Sequence, residues 1–176
     1  MKKLVFIMIS FLFILTACGE DNAVEVTLPA SFMEAEEIDI DSLTADSEES
    51  GIEDVTENSD GSVSYEMSGS KHEEMMTEIE SEVNNSIEEI ADNEEYASIQ
   101  DITSSNSFSE FTMLVDQETF ENSFDGFAAM ALGVSGMFYQ LFDGTDADDY
   151  AVTISIENAD TGEVFDTLHY PEDLDG

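Results

Sequence analysis

The chain has 176 residues, 41% of them hydrophobic, with 43 Asp and Glu against three Lys and a formal net charge of −40. That length suits one domain, and the charge excludes nucleic acid and anionic lipid headgroups as electrostatic partners. Periodic apolar stretches rich in Ile, Val, Phe and Met argue against the disorder that such acidity otherwise invites.

The first element is not part of the fold. Met1-Lys2-Lys3 is a short basic segment, and Leu4 to Leu15 is an apolar run too short for a stable membrane span. It ends in Leu15-Thr16-Ala17-Cys18, followed by Gly19. This arrangement resembles the signal peptide and lipobox of bacterial lipoproteins, in which the cysteine is lipidated and becomes the first residue. Cys18 is the only cysteine in the chain, so no disulfide or cysteine-metal site is expected in the domain. The resemblance implies a signal peptide over residues 1–17, a lipidated tether over 18–22 and a single domain over 23–173. It also implies a diacylglyceryl group on Cys18, which holds the protein at the extracytoplasmic face of the cell membrane. Cleavage before Cys18 leaves Lys71 as the only basic residue besides two histidines. So acidic a surface cannot hold a membrane electrostatically and depends on its acyl chains, of which two suffice for stable anchoring. Scarce lysine with abundant carboxylate points to a salty or alkaline medium, or equally to an acid-biased extracellular domain.

Ala23-Val24-Glu25-Val26-Thr27-Leu28 alternates like a strand. Ser31 and Glu34 have capping-box spacing and predict a short helix, and Asp41 to Ser50 predicts another, closed by Gly51. Ile52-Glu53-Asp54-Val55-Thr56 and Val63-Ser64-Tyr65-Glu66-Met67 flank Asn58-Ser59-Asp60-Gly61, a strong hairpin signal because Gly accepts positive φ. Ser70, with Glu73 as capping-box partner, is expected to open a helix whose Met76, Ile79, Val83, Ile87 and Ile90 make one apolar stripe to about Ala91.

The pattern then recurs. Ile99-Gln100-Asp101-Ile102-Thr103 echoes Ile52-Glu53-Asp54-Val55-Thr56, Phe111, Met113 and Val115 alternate as Val63, Tyr65 and Met67 do, and Asp116 is expected to cap the next helix. Two copies of strand-strand-helix are weak evidence of duplication. The second helix contains the charge-free run from Phe127 to Phe142. That run falls short of the ~20 residues of a membrane span, and Ala129, Gly133 and Gly136 give it a side on which backbones can approach closely. The expectation is a helix running on from Asp116, buried nearly all round, with Phe120, Phe124, Phe127 and Phe138 among its core residues and an interruption or kink at Gly126. A ligand-pocket wall is the second reading. Val152, Ile154 and Ile156 open a last hairpin that turns at Asp160-Thr161-Gly162 and returns over Val164 to Tyr170. The fold class expected is α+β, an antiparallel sheet of about five to seven strands with two long helices packed on one face.

Chemistry-bearing motifs are sparse. Gly133-Val134-Ser135-Gly136 lacks the final glycine of a nucleophile elbow and lies in a helical pattern. His72 and His169 are far apart in sequence, and His72 reads as solvent-exposed in a first helical turn. Asp143, Asp146, Asp148 and Asp149 crowd one loop and suit a hard cation such as Ca²⁺, though without EF-hand order; the other reading is an acidic helix-to-strand loop. No catalytic motif is found and no cofactor is expected.

From Cys18 to Asp173 the chain resembles a group of Gram-positive lipoproteins sometimes labelled after an antigen I/II N-terminal domain. The resemblance rests on Val26-Thr27-Leu28-Pro29-Ala30-Ser31, Asp60-Gly61-Ser62-Val63, Ser70-Lys71-His72, Glu121-Asn122-Ser123-Phe124-Asp125-Gly126-Phe127 and the Asp160-Thr161-Gly162 turn. This chain departs from the group mainly by carrying acids in place of lysines. The resemblance implies an envelope lipoprotein and brings no activity with it. The functional expectation is a lipid-anchored binding or interaction domain whose partner is an envelope protein or peptide. The alternative is a small-ligand or calcium-binding module using the 143–149 loop or a helix–sheet pocket.

Overall fold

The computed structural model describes residues 22–30, 51–146 and 149–174. The signal segment, Cys18, the two short helices expected between Ser31 and Ser50, and Asp148 lie outside the described residues. The strands are β1 (Ala23–Leu28), β2 (Ile52–Glu57), β3 (Val63–Ser68), β4 (Ile99–Ser104), β5 (Glu110–Val115), β6 (Val152–Asn158) and β7 (Val164–Tyr170). The helices are α1 (Gly69–Ala91), α2 (Gln117–Glu121) and α3 (Phe127–Phe142), and a 3₁₀ turn, Glu172–Leu174, follows β7.

The fold is α+β, but its strands form two sheets rather than one. The first has the order β1-β3-β2 and the second β4-β5-β6-β7. The first sheet is antiparallel throughout, whereas β5 and β6 run parallel. Both corrections have one cause. A helix that returns along a strand delivers the next strand in the starting direction, so the crossover from β5 to β6 makes them parallel. The same geometry applies to α1, but β3 already has β1 on one side and β2 on the other. The strand after α1 therefore founds a second sheet with its own hairpin partner.

The first and last of the three hairpins form where their turn glycines put them. Gly61 and Gly162 adopt φ of 86° and 70°, the left-handed conformation that a side chain resists. Around the first turn Asn58 N–H donates to the Ser62 carbonyl at 2.8 Å, and the Ser62 hydroxyl donates to Asp60 at 2.7 Å. The Ser62 N–H also donates to Asp60, at 3.1 Å, and the bonds from the Ser62 hydroxyl and N–H hold the Asp60 carboxyl below its ordinary range. In β2 and in β4 the apolar residues recur after three positions rather than two. The register explains it: it shifts between Ile52 and Asp54 in one strand and between Ile99 and Asp101 in the other. The extra residue of each bulge lets Ile99 and Ile102 both turn inward, where they are buried.

α1 opens two residues earlier than the capping box at Ser70 suggests. Ser68 is the N-cap, its hydroxyl accepting the Lys71 N–H at 3.2 Å. The stripe on α1 packs as expected, with Ile79 and Val83 buried and Met76, Ile87 and Ile90 half-buried against the core. The charge-free run departs further from expectation. Asp116 does cap a helix, accepting the Thr119 N–H at 2.8 Å, but that helix ends at Glu121. The chain breaks over residues 122–126, so the interruption expected at Gly126 is present, with Gly126 as the N-cap of α3.

α3 is buried along one side only. Ala129, Leu132, Gly133, Gly136 and Met137 face the core, while Phe127 and Met130 face solvent. A Cβ on Gly133 would come within 2.5 Å of the Tyr170 ring, and one on Gly136 would run into the Phe108 carbonyl and the Val152 side chain. The small residues thus admit β7 and β6 to the helix. α1 packs on α3 and reaches β1, β3 and β4; α3 reaches β1, β6 and β7. The helix pair therefore joins the two sheets, and one apolar cluster runs from Val26 and Met67 through Leu132 to Ile154. Among the described residues no helix is long and apolar enough to cross a membrane.

Candidate functional site

The break between α2 and α3 is held by a buried carboxylate. Asp125 is 5% exposed and accepts the Ser98 N–H at 2.9 Å and the Ser98 hydroxyl at 2.5 Å, and Ser98 itself is fully buried. The Asp125 N–H in turn donates to the Ser123 hydroxyl at 3.1 Å. Burial pushes the Asp125 carboxyl up, but the bonds from Ser98 and Ser123 outweigh it and hold the group below the usual carboxylate range. Charged, it accepts shorter and stronger bonds than a neutral group would.

Pinning Asp125 inward turns its neighbours outward. Phe124 is 83% exposed and Phe127 60%, with their rings stacked at 6.2 Å between centroids. Met130, one turn along α3, is 44% exposed, as is Leu174 in the turn after β7. With Tyr170 and Asp173 these side chains line an open groove of about 370 Å³. Single exposed apolar residues are ordinary, but here Phe124, Phe127, Met130 and Leu174 stand together, which makes the groove the candidate site. Phe124 and Phe127 are therefore surface residues, not the core residues that the charge-free run suggests. The helical spacing held the clue: with Ala129, Gly133 and Gly136 turned inward, Phe127 and Met130 fall on the other side of the helix. The surroundings are acidic. Asp173 accepts the His169 N–H at 2.6 Å, and its charge adds to the burial that pushes the Tyr170 hydroxyl up.

The acidic loop after α3 is built differently. Asp143 caps the C-terminus of α3, and the Asp146 carbonyl accepts the N–H groups of Asp149 and Tyr150 at 2.9 and 3.2 Å. Gln140 closes the loop, donating to the Ala151 carbonyl at 3.0 Å and accepting its N–H at 3.2 Å. Asp143, Asp146 and Asp149 are exposed. Among the described residues no three His, Cys, Asp or Glu side chains come together as a metal site. Beside this loop lies a second cleft of about 520 Å³ between β1 and the end of α3, reached by Glu25, Thr27, Asp60, Ser62 and Asp146.

The histidines and the serine singled out in the sequence do not converge. His72 is half-buried rather than free in solvent: its Nε2 donates to the Phe142 carbonyl at 2.6 Å and ties the start of α1 to the end of α3. His169 is exposed on β7, with Nδ1 3.4 Å from the Thr153 hydroxyl. Ser135 lies inside α3, where its hydroxyl donates to the Ala131 carbonyl at 2.9 Å.

Fold and surface together define an α+β domain of two sheets joined by a helix pair, carrying one exposed aromatic groove at the start of its second long helix. Comparison of the chain with protein-family models, with curated proteins and with solved structures finds no match.

Proposed function

We propose that the protein is a lipid-anchored binding domain on the extracytoplasmic face of the cell membrane, and that the Phe124–Phe127–Met130–Leu174 groove is its contact surface. The anchor is read from the lipobox ending in Cys18, with a diacylglyceryl group as the membrane attachment. The observation that carries the binding reading is the exposure of two stacked phenylalanines, with Met130 and Leu174, on a chain otherwise dominated by carboxylates.

The arrangement of the helices supports the same reading. β1 starts five residues after Cys18, and Ala23 pairs with Ser68, the cap of α1. His72 at that end of α1 meets Phe142 at the end of α3, so the two helices run in opposite directions. Phe127 therefore lies toward the far end of α1, whose 23 residues span about 35 Å. With the anchor on Cys18, this arrangement favours a groove set away from the bilayer and open to partners in the envelope.

Two experiments test this. Cys18→Ser is expected to abolish lipid labelling and release the protein or leave its precursor uncleaved; unchanged labelling and membrane retention would overturn the anchor. Affinity purification from the native envelope at native salt is expected to recover a partner with the wild-type chain and lose it with Phe124→Ser/Phe127→Ser. Equal recovery with both chains would overturn the groove as the contact surface. The alternative, a small-ligand module, has its support in the cleft beside Asp60 and Asp146, and predicts instead that the Phe variants are silent.

A further inference from the structure

We infer that the groove takes a basic polypeptide segment that inserts apolar side chains between Phe124, Phe127, Met130 and Leu174 and sets Lys or Arg against the carboxylates around it. This rests on the binding reading above and adds the chemistry of the partner. Phe124 and Phe127 form a stacked aromatic pair, Met130 and Leu174 supply the adaptable and aliphatic walls, and the space between them is about 370 Å³. Such a surface favours apolar anchors, since aromatic residues carry a large share of binding energy at interfaces, and methionine adjusts to what it meets.

The charge around the groove selects among apolar partners. Asp173 lines it, and Glu172 stands beside it in the same 3₁₀ turn. Among the described residues Lys71 is the only Lys or Arg; it lies in the first turn of α1, toward the other end of the helix pair, and is bound to Glu74 at 2.9 Å. The partner therefore meets carboxylates around the groove. An acidic or phosphorylated segment would be repelled, and like charges across an interface are a strong means of rejecting wrong partners. The same field disfavours a second copy of this chain, with its formal charge of −40, and an anionic membrane. A basic segment gains on both counts: its apolar side chains leave water, and its cations approach at a rate raised by the field.

The test uses the full chain held in zwitterionic lipid nanodiscs, with empty nanodiscs as the baseline, and fluorescently labelled synthetic peptides of equal length read by anisotropy. One peptide places Leu at helical spacing among Lys; the others replace Lys by Gln, replace Lys by Glu, or replace Leu by Ser. The Lys/Leu peptide is expected to bind at least ~10-fold more tightly than each of the others. Phe124→Ser/Phe127→Ser is expected to weaken it by ~10-fold or more, the scale of losing an aromatic anchor. Both positions are exposed, so the variant is expected to melt as the wild type does. Val164→Ser, an exposed change at the opposite end of β7 from Tyr170, is expected to leave binding unchanged. If the Lys/Ser peptide binds as well as Lys/Leu, or the double Phe variant keeps full affinity, the groove is not the site and the inference falls. Equal, Phe-dependent binding of the Gln/Leu or Glu/Leu peptide overturns the basic partner and leaves the binding surface standing. Absence of any Phe-dependent peptide binding, with Phe-dependent self-association in sedimentation or Phe-dependent flotation with zwitterionic vesicles, replaces the peptide by a second copy or a lipid surface. Absence of all three defeats the binding reading as well.

Discussion

The two strand-strand-helix units of the chain begin alike and end differently. Each opens with a hairpin, each carries a bulge one residue after its first isoleucine (Ile52/Asp54 and Ile99/Asp101), and each passes straight from its second strand into a helix capped by a side-chain oxygen, Ser68 in one and Asp116 in the other. After the cap they part. The first runs on as one amphipathic helix of 23 residues, whereas the second stops after five, turns, and restarts as a 16-residue apolar helix. The interruption moves the aromatic residues from the core to the surface. The two units share their framework as far as the cap, and the departure after it supplies the groove.

The largest expected contrast is in the cores of the two helices. Leu132 in α3 is fully buried and Ile79 in α1 is 8% exposed, so Leu132→Ala is expected to cost ~2–5 kcal/mol in denaturant melts and Ile79→Ala less. A larger cost at Ile79 would contradict the deeper burial of the α3 face. Gly133→Leu is expected to cost ~1–3 kcal/mol by overpacking against Tyr170, and a near-native midpoint would show that β7 does not lie on that side of the helix.

The break itself can be tested at Asp125. Removing its carboxylate with Asp125→Ala leaves the Ser98 N–H and hydroxyl buried without their acceptor, for an expected loss of ~1–3 kcal/mol. The pH dependence follows from the direction of the shift. The folded carboxyl lies below its unfolded value, so its contribution is complete above about pH 4 and is lost as pH falls through the depressed folded value. The stability gap between wild type and Asp125→Asn is therefore expected to narrow on acidification below that point. A gap that is constant or widens with acid would contradict the account of the loop.

Smaller effects sharpen the comparison. Ser68→Ala removes the cap of α1 and is expected to cost ~0.5–2 kcal/mol; Ser70→Ala, at the position where the sequence alone puts the cap, is expected to cost less. Phe124→Ser is expected to change stability by no more than ~0.5 kcal/mol, as befits a surface residue. A loss on the scale of Leu132→Ala would return Phe124 to the core.

What was legible in the sequence was local. Asp60-Gly61 and Asp160-Thr161-Gly162 announce hairpins because few residues accept their backbone, and the stripe on α1 follows from spacing within one helix. The division into two sheets was not legible, since it depends on β1 occupying one side of β3, some forty residues away in sequence. The bulges were hidden for a related reason: an inward pair three residues apart reads as irregular alternation until the partner strand fixes the register. The start of α1 was misplaced: the spacing of Ser70 and Glu73 pointed to Ser70, whereas Ser68, the last residue of β3, is the N-cap. The groove was the least legible feature. Its phenylalanines look like core residues in an apolar run, and only the bond from Asp125 to Ser98, 27 residues earlier, turns them out. The proposed anchor rests on the sequence from Leu15 to Cys18 alone.

The most direct test of the groove is photo-crosslinking in the native envelope, with a photoreactive phenylalanine analogue placed at Phe127 in one strain and at Val164 in another. Both positions are exposed, so both chains are expected to fold and to reach the membrane. The account predicts a discrete polypeptide adduct from Phe127, lost when Phe124 is changed to Ser, and none from Val164. Adducts of equal yield from both positions, or adducts from Val164 alone, would contradict it.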